Sequence, residues 1–522
     1  MTPTARIQLR RAVQLLCLFG FLWLFVQTEY RGHDDLPWPV SLLFRIDPLA
    51  ALADMLAPGP FSWALWPALV LVILTALLGR FFCGWICPLG TTLDGCGALF
   101  GRNHRPTLHS WRKVKYLLLL VLSVAALGGL QLLGIFDPLA IFLRTLTLAL
   151  YPLYNLGMNT LFDIAYQTDI PLLSAPLNDL YPFWRDQLMA FYQPSYTLAL
   201  FTLLVFLAIV VLERIERRFW CRNLCPLGAL LGLCSRRTSL VRQPDGLCSD
   251  CHQCATDCRM GAVTENQTRS AECIECLDCT GYCPHERVNF SFTGRSAASG
   301  VDLRRRDLLL GVSAGLVIGP LARLQPDSYQ LNAYLIRPPG AVSETEFLRR
   351  CIRCGECMKV CIGQALHPAF LEAGAVGLWT PLLVGRLGYC EYNCTLCGQV
   401  CPTGALERLP LADKRQTVIG LAVIDKDRCL PYAQREECLV CEEHCPTGEK
   451  AIIFQEQWIT TATGERKNLK IPEVISARCI GCGICETRCP VSGVSAIRVI
   501  NARESRRPQS LTATETNPYP GQ

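Results

Sequence analysis

Twenty-four cysteines fall in six runs whose spacing suits iron held through sulfur. The first run is Cys248, Cys251, Cys254 and Cys258; the second is Cys273, Cys276, Cys279 and Cys283, followed by Pro284. The third is Cys351, Cys354, Cys357 and Cys361; the fourth is Cys390, Cys394, Cys397 and Cys401, followed by Pro402. The fifth is Cys429, Cys438, Cys441 and Cys445 before Pro446; the sixth is Cys479, Cys482, Cys485 and Cys489 before Pro490. A 4Fe-4S cubane offers four iron corners, each taking one thiolate. A Cys-x2-Cys-x2-Cys loop wraps three corners, and the fourth cysteine of the run reaches the neighbouring cluster. By that rule Cys248, Cys251, Cys254 and Cys283 hold one cluster, and Cys273, Cys276, Cys279 and Cys258 hold another. Gly355, Gly481 and Gly483 let backbone approach the sulfides, where amides offset negative charge.

Other uses of these cysteines fit less well. A disulfide scaffold belongs to small secreted chains with irregular spacing, and this chain has 522 residues and 31 cysteines in regular runs. Zinc takes two Cys-x2-Cys hooks set far apart, not four cysteines in eleven residues. Cys248, Cys251 and His252 spell a c-type haem motif, but both cysteines are committed to the first run. His285 and His444 stand in or beside cluster loops as hydrogen-bond donors that tune potential. The apolar spans contain no histidine, which removes a b-type haem held between them.

A second cysteine pattern is duplicated. Residues 82–96 read FCGWICPLGTTLDGC and residues 220–234 read WCRNLCPLGALLGLC. Asp-Pro-Leu-Ala precedes each, at 47–50 and 137–140. Cys83, Cys87, Cys221 and Cys225 therefore belong to two copies of one unit and form a candidate extra redox or metal site. Cys96 and Cys234 recur at matching positions without an assigned role.

These motifs need a membrane to sit in. The chain is 51% apolar and only 18% charged, against about 25% in a typical soluble protein. Apolar stretches at 12–28, 61–79, 116–135 and 195–212 are each near the length that crosses a bilayer. Residues 139–157 are apolar too, as an interfacial or re-entrant helix or a further span. Arginine and lysine crowd the N-terminus, residues 80–115 and residues 214–237, whereas the intervening loops are acidic. The positive-inside rule makes the basic side cytoplasmic. The formal charge of +6 thus reflects membrane orientation and not nucleic-acid binding. Arg305 and Arg306, followed by Asp307, Leu308 and Leu309, open a further apolar piece at 303–324 that resembles a twin-arginine export signal or an anchor with a basic flank. The expected architecture is a polytopic α-helical membrane domain of about four spans, internally duplicated (1–240). A two-cluster ferredoxin-like α+β module (241–295), the anchor helix (303–324), a four-cluster ferredoxin-like α+β domain (340–500) and a disordered tail (501–522) follow.

The order of these motifs resembles a fusion of two families. Residues 1–290, with the Cys-x3-Cys-Pro repeats and one two-cluster module, are similar to the NapH-type membrane quinol dehydrogenase subunits, related to NosR and MauN. Residues 303–500 are similar to the NapG/MauM ferredoxin-type subunits. The openings Cys390-x3-Cys394 and Cys429-x8-Cys438 resemble four-cluster subunits of molybdenum oxidoreductases. That likeness implies crossed ligation of the third run with the sixth and of the fourth with the fifth. The resemblance implies about six 4Fe-4S clusters and quinol as electron donor. The place implied is the bacterial inner membrane, with the N-terminus and first ferredoxin module cytoplasmic and the C-terminal domain periplasmic. The partners implied are the membrane quinone pool and a periplasmic reductase, such as nitrate reductase, or a cytochrome-type protein. The chain would be a quinol dehydrogenase or electron-transfer component and not the terminal reductase. The alternative is an electron donor for maturation or reactivation of a periplasmic metalloenzyme.

Overall fold

The computed structural model describes residues 2–57, 62–99, 111–167, 181–245, 251, 253–264, 267–283, 287–292, 303–323, 332–460 and 466–506. Cys248, His252, Pro284 and His285 lie outside them, as does the tail from residue 507.

The first half is helical. Helix α1 (Pro3–Gln27) starts where the Thr2 hydroxyl accepts the Ala5 amide, with Pro3 in the first turn. Asp47 and Asp137, the duplicated aspartates, each cap a helix that begins at a proline: α2 (Pro48–Leu56) and α7 (Pro138–Gln167). Between them lie α3 (Pro67–Leu78), α4 (Phe81–Trp85), α5 (Pro88–Leu99) and α6 (Arg112–Leu127). After them come α8 (Ala199–Val211), α9 (Phe219–Asn223) and α10 (Pro226–Cys234). The α4–α5 and α9–α10 elbows are the two cysteine repeats, each turned at its Cys-Pro.

Among the described residues two helices, α1 and α7, are long and apolar enough to cross a membrane, against the four spans expected, and α3 is a shorter apolar helix. The stretch at 139–157 is part of one 30-residue helix with a π turn at Leu146–Leu150, so it is a continuous rod and not a re-entrant piece. Leu16, Phe19 and Trp23 on α1, Leu69 and Ile73 on α3, and Leu200 and Leu204 on α8 are exposed. Apolar surface of this extent on the outside of a helical bundle is more than a water-facing surface ordinarily carries.

Two modules built on cysteine loops dock on this bundle. Module I is closed by antiparallel β1 (Leu240–Pro244) and β4 (Val288–Phe292), with the short pair β2 (Val263–Thr264) and β3 (Gln267–Thr268) between them in sequence. Module II spans 332–506 and is pinned by β5 (Leu366–Pro368) with β6 (Pro381–Leu383), by β7 (Leu421–Ile424) with β10 (Ile497–Ile500), and by the hairpin β8 (Ile452–Thr460) with β9 (Arg466–Val474). Asn501, Ala502 and Glu504 are buried and Arg506 bonds Glu344. Residues 501–506 are therefore part of the module and not of a disordered tail, because the main chain beyond β10 continues to pair, with Asn501 N–H on Ala333 O and Ser505 N–H on Val418 O.

The modules occupy opposite ends of the bundle. Helix α1, about 37 Å long at 1.5 Å per residue, ion-pairs through Arg10 with Asp278 of module I at 3.0 Å. Near its other end Phe25 and Glu29 meet Lys359 of module II. Helix α6 begins with Arg112 donating to Gly261 O of module I at 2.7 Å. Just past its end, Gln131 O accepts from Arg353 of module II. Helix α8 begins with Thr202 accepting from Trp379 of module II at 3.0 Å. Helix α11 (Arg305–Arg323) joins the two along the bundle. Gly311 packs on Leu117 and Leu120 of α6, and Gly315 on Val121 and Val124, so α11 runs parallel to α6 from the module I end. The four-residue spacing of those glycines lets the two helices approach closely.

Both dockings rely on bare backbone. A Cβ on Gly84 would collide with Ile274 O of module I, and one on Gly134 with Ile352 O of module II. Gly134→Ala should therefore loosen module II by about 1–3 kcal/mol, read as faster proteolytic release of 332–506 from the bundle. Release at the wild-type rate would show that this contact can shift freely.

Candidate iron–sulfur sites

Each site is assembled from a tight loop plus one cysteine of a neighbouring run. In module I the thiols of Cys273 and Cys276 lie near Cys258, and that of Cys254 near Cys251 and Cys283. These neighbours are in keeping with the crossing that the spacing rule predicts. Module II departs from the expected pairing. Cys351, Cys354 and Cys357 stand beside Cys401, and Cys390, Cys394 and Cys397 beside Cys361. Cys429, Cys438, Cys441 and Cys489 border one cavity. Cys445, Cys479, Cys482 and Cys485 border another.

The third run thus crosses with the fourth and the fifth with the sixth, not the third with the sixth. The strand pairing is the cause. The β7–β10 pair lays 421–424 against 497–500 and sets Cys429 beside Cys489. The bridges Ala341–Leu406 and Gln364–Tyr389 lock the third run to the fourth.

The four sites of module II form a series. The Cys351 set lies against the bundle: Glu356 accepts the Ser41 amide, Arg144 donates to Arg353 O, and the Arg144 guanidinium stacks 4.1 Å over Trp379. The Cys390 set shares cysteines with it and touches the Cys479 set through Cys390 N–H to Cys482 O at 2.8 Å. The Cys429 set comes last, next to the β8–β9 hairpin, where Trp458 is exposed.

These residues fit cubanes. The thiols of the Cys429 and Cys445 sets ring small apolar volumes. Backbone amides point at sulfur: Ala262 N–H at Cys258 (3.2 Å), Leu406 N–H at Cys401 (3.4 Å) and Ala422 N–H at Cys479 (3.4 Å). Burial pushes the thiols of Cys357, Cys397 and Cys485 far above their ordinary range. They stay protonated without metal, so iron binding must expel those protons. The loops hold left-handed backbone at Gly481 (φ 76°) and Gly483 (φ 84°). The equivalent positions elsewhere are Glu275 (φ 51°), Leu277 (φ 61°) and Arg353 (φ 58°). The sixth run advertises this turn by two glycines and the third by one, Gly355 (φ 88°), whereas the second holds it with residues that carry no such signal. His444 is exposed and its Nδ1 lies 2.9 Å from Val440 O, so it caps a turn beside the fifth run.

Sequence reasoning passed over the ion network between module I and the repeats. Arg218 binds Asp94 at 2.7 Å, and Arg259 binds both Asp94 and Asp278. Glu272 gathers Arg80, Lys115 and Tyr116. No periodicity marks these residues, since their partners come from distant segments.

The comparisons agree with a cluster-binding chain. A family described as a 4Fe-4S binding domain matches residues 60–106 and 198–243. The methylamine utilization ferredoxin-type protein MauM of Methylorubrum extorquens is 37% identical over 204 residues, 38% of this chain and 88% of that protein. The ferredoxin-type protein NapG of Escherichia coli is 34% identical over 197 residues, 37% of this chain and 83% of that protein. The ferredoxin-type protein NapF of the same organism is 34% identical over 162 residues, 31% of this chain and 84% of that protein. No solved structure matches.

Proposed function

This chain belongs to the MauM/NapG family of ferredoxin-type proteins, and from that premise we propose that it carries electrons from membrane quinol through 4Fe-4S clusters to a redox partner on the far side of the membrane. The observation that carries the reading is the placement of the cysteine sets. Two lie at one end of the bundle, and four run in series outward from the other.

Six cubanes account for all six runs, with the ligand sets described above. Each supplies one-electron transfer when present. The chain's own residues hold the clusters apart from water and offset their charge. An apolar cavity of about 440 Å³ supports quinol as donor. Its size is that of an ordinary small-molecule site. Phe21, Trp23, Trp38, Phe82, Ile86 and Leu139 line it, between α1 and the first cysteine elbow.

The basic residues Arg10, Arg80, Arg112 and Arg218 sit at the module I end, and acidic Glu29, Asp34 and Asp47 at the other. By the positive-inside rule module I faces the cytoplasm and module II the periplasm. The twin arginines at the start of α11 fit export of module II across the membrane. The partner is then a periplasmic reductase or a cytochrome-type redox protein.

Two measurements test the reading. Anaerobically purified protein should contain at least about 24 irons per chain, four for each of six cubanes, with EPR signals that grow when quinol is added. Clusters indifferent to quinol would remove the donor. External protease added to spheroplasts should cut within 340–500, and resistance there would place module II inside.

A further inference from the structure

The two cysteine elbows lie outside the six ferredoxin-type sets, yet their thiols converge. Cys225 lies beside Cys221, Cys83 and Cys87, and Cys87 lies beside Cys83 and Cys221. Three of the four are buried. Each elbow carries an arginine three residues before its first cysteine and a glycine three residues after its second: Arg80 with Gly90, and Arg218 with Gly228. The arginines swap. Arg218 donates to Cys83 O at 2.7 Å and Gly90 O at 3.3 Å of the first elbow. Arg80 places Nη2 2.7 Å from where a Cβ on Gly228 of the second elbow would stand.

Arg80 also supplies an independent sign of a missing partner. It is fully buried; its Nη1 is engaged by Ala271 O and Glu272, but its Nε and Nη2 donate to nothing among the described residues. An unpaired buried guanidinium is costly unless an acceptor sits there. Four thiolates facing two guanidiniums describe an anionic centre with its charge compensated.

We propose that Cys83, Cys87, Cys221 and Cys225 together hold one further iron–sulfur cluster, shared between the two repeats, with Arg80 donating to its sulfur. Each thiol loses its proton to solvent as its sulfur bonds iron. The 4Fe-4S binding family matches each repeat as a segment of its own; the geometry joins the two copies in one site. Phe82, Ile86 and Pro88 alternate with the first pair of cysteines and line the apolar cavity, so the cluster would sit against that pocket's wall.

The test uses the full-length, detergent-solubilised protein, with iron, zinc and acid-labile sulfide counted per chain and EPR recorded after dithionite. Cys83→Ser and Cys225→Ser should each remove the same about two or four irons, and the double variant should remove no more than either alone. Wild-type iron in the single variants, losses that add in the double, or zinc in place of the lost iron would each overturn the shared cluster. The comparison is a difference from wild type, so it stands even if the total departs from six cubanes. Arg80→Gln keeps all four thiols and should leave the iron count unchanged while shifting the midpoint of one EPR signal. An unshifted set of signals would overturn the role of Arg80, and this variant can be read if the cysteine variants fail to accumulate.

Discussion

Cys482→Ser is expected to stop electrons midway through module II. The Cys482 thiol belongs to the third site of the series, and its carbonyl accepts the N–H of Cys390 from the second. Loss of that thiolate removes the relay between the bundle-side pair and the distal site. Partner reduction should fall by more than about a hundredfold, roughly 2.7 kcal/mol of barrier. The Cys351 and Cys390 sets should still show reduced EPR signals under quinol. Cys438→Ser, at the distal site, should leave three module II signals reducible and stop only the last step. Normal partner reduction by the Cys482 variant would sink the series arrangement.

Glu272→Gln should release module I from the bundle. Glu272 is buried and holds Arg80, Lys115 and Tyr116 together. The amide leaves two buried cations without their counter-charge, a change that costs about 3–5 kcal/mol when one partner of a buried pair is removed. The readout is proteolytic cleavage within 251–292 and a lowered thermal midpoint. Salt should hardly alter the difference, because the network is shielded from bulk ions. Lys113→Ala is the contrast: its pair with Asp307 is 3.9 Å long and partly exposed, and its loss should cost at most about 1 kcal/mol. Equal effects of the two variants would show that burial does not set the energy.

Much of the site plan was legible in the residues. Cysteine spacing alone gave the runs and the crossing in module I, because three ligands of a cubane come from one short loop. The duplication of FCGWICPLG and WCRNLCPLG pointed to Cys83, Cys87, Cys221 and Cys225 acting together, and their thiols do converge. The crossing in module II was not legible from the runs. Cys361 and Cys489 each have several partners within reach of the chain, and the choice is made by strand pairs such as Leu421–Ile500 that leave no mark on the cysteine spacing. Arg218, Asp94 and Glu272 escaped for a similar reason: a buried charge is defined by what faces it across the fold. Residues 501–506 looked polar and tail-like, yet Asn501 and Glu504 are buried as polar groups supplied with partners.

Helix α11 has a further consequence. It makes the two modules parts of one molecule, so their meeting no longer depends on how much of each the cell produces. A tether of this kind sets an effective concentration in the millimolar range for short linkers. Contacts such as Arg353 to Gln131 and Lys359 to Glu29 then need only select an orientation, not win an encounter. The stoichiometry of the two modules is fixed at one to one by synthesis itself.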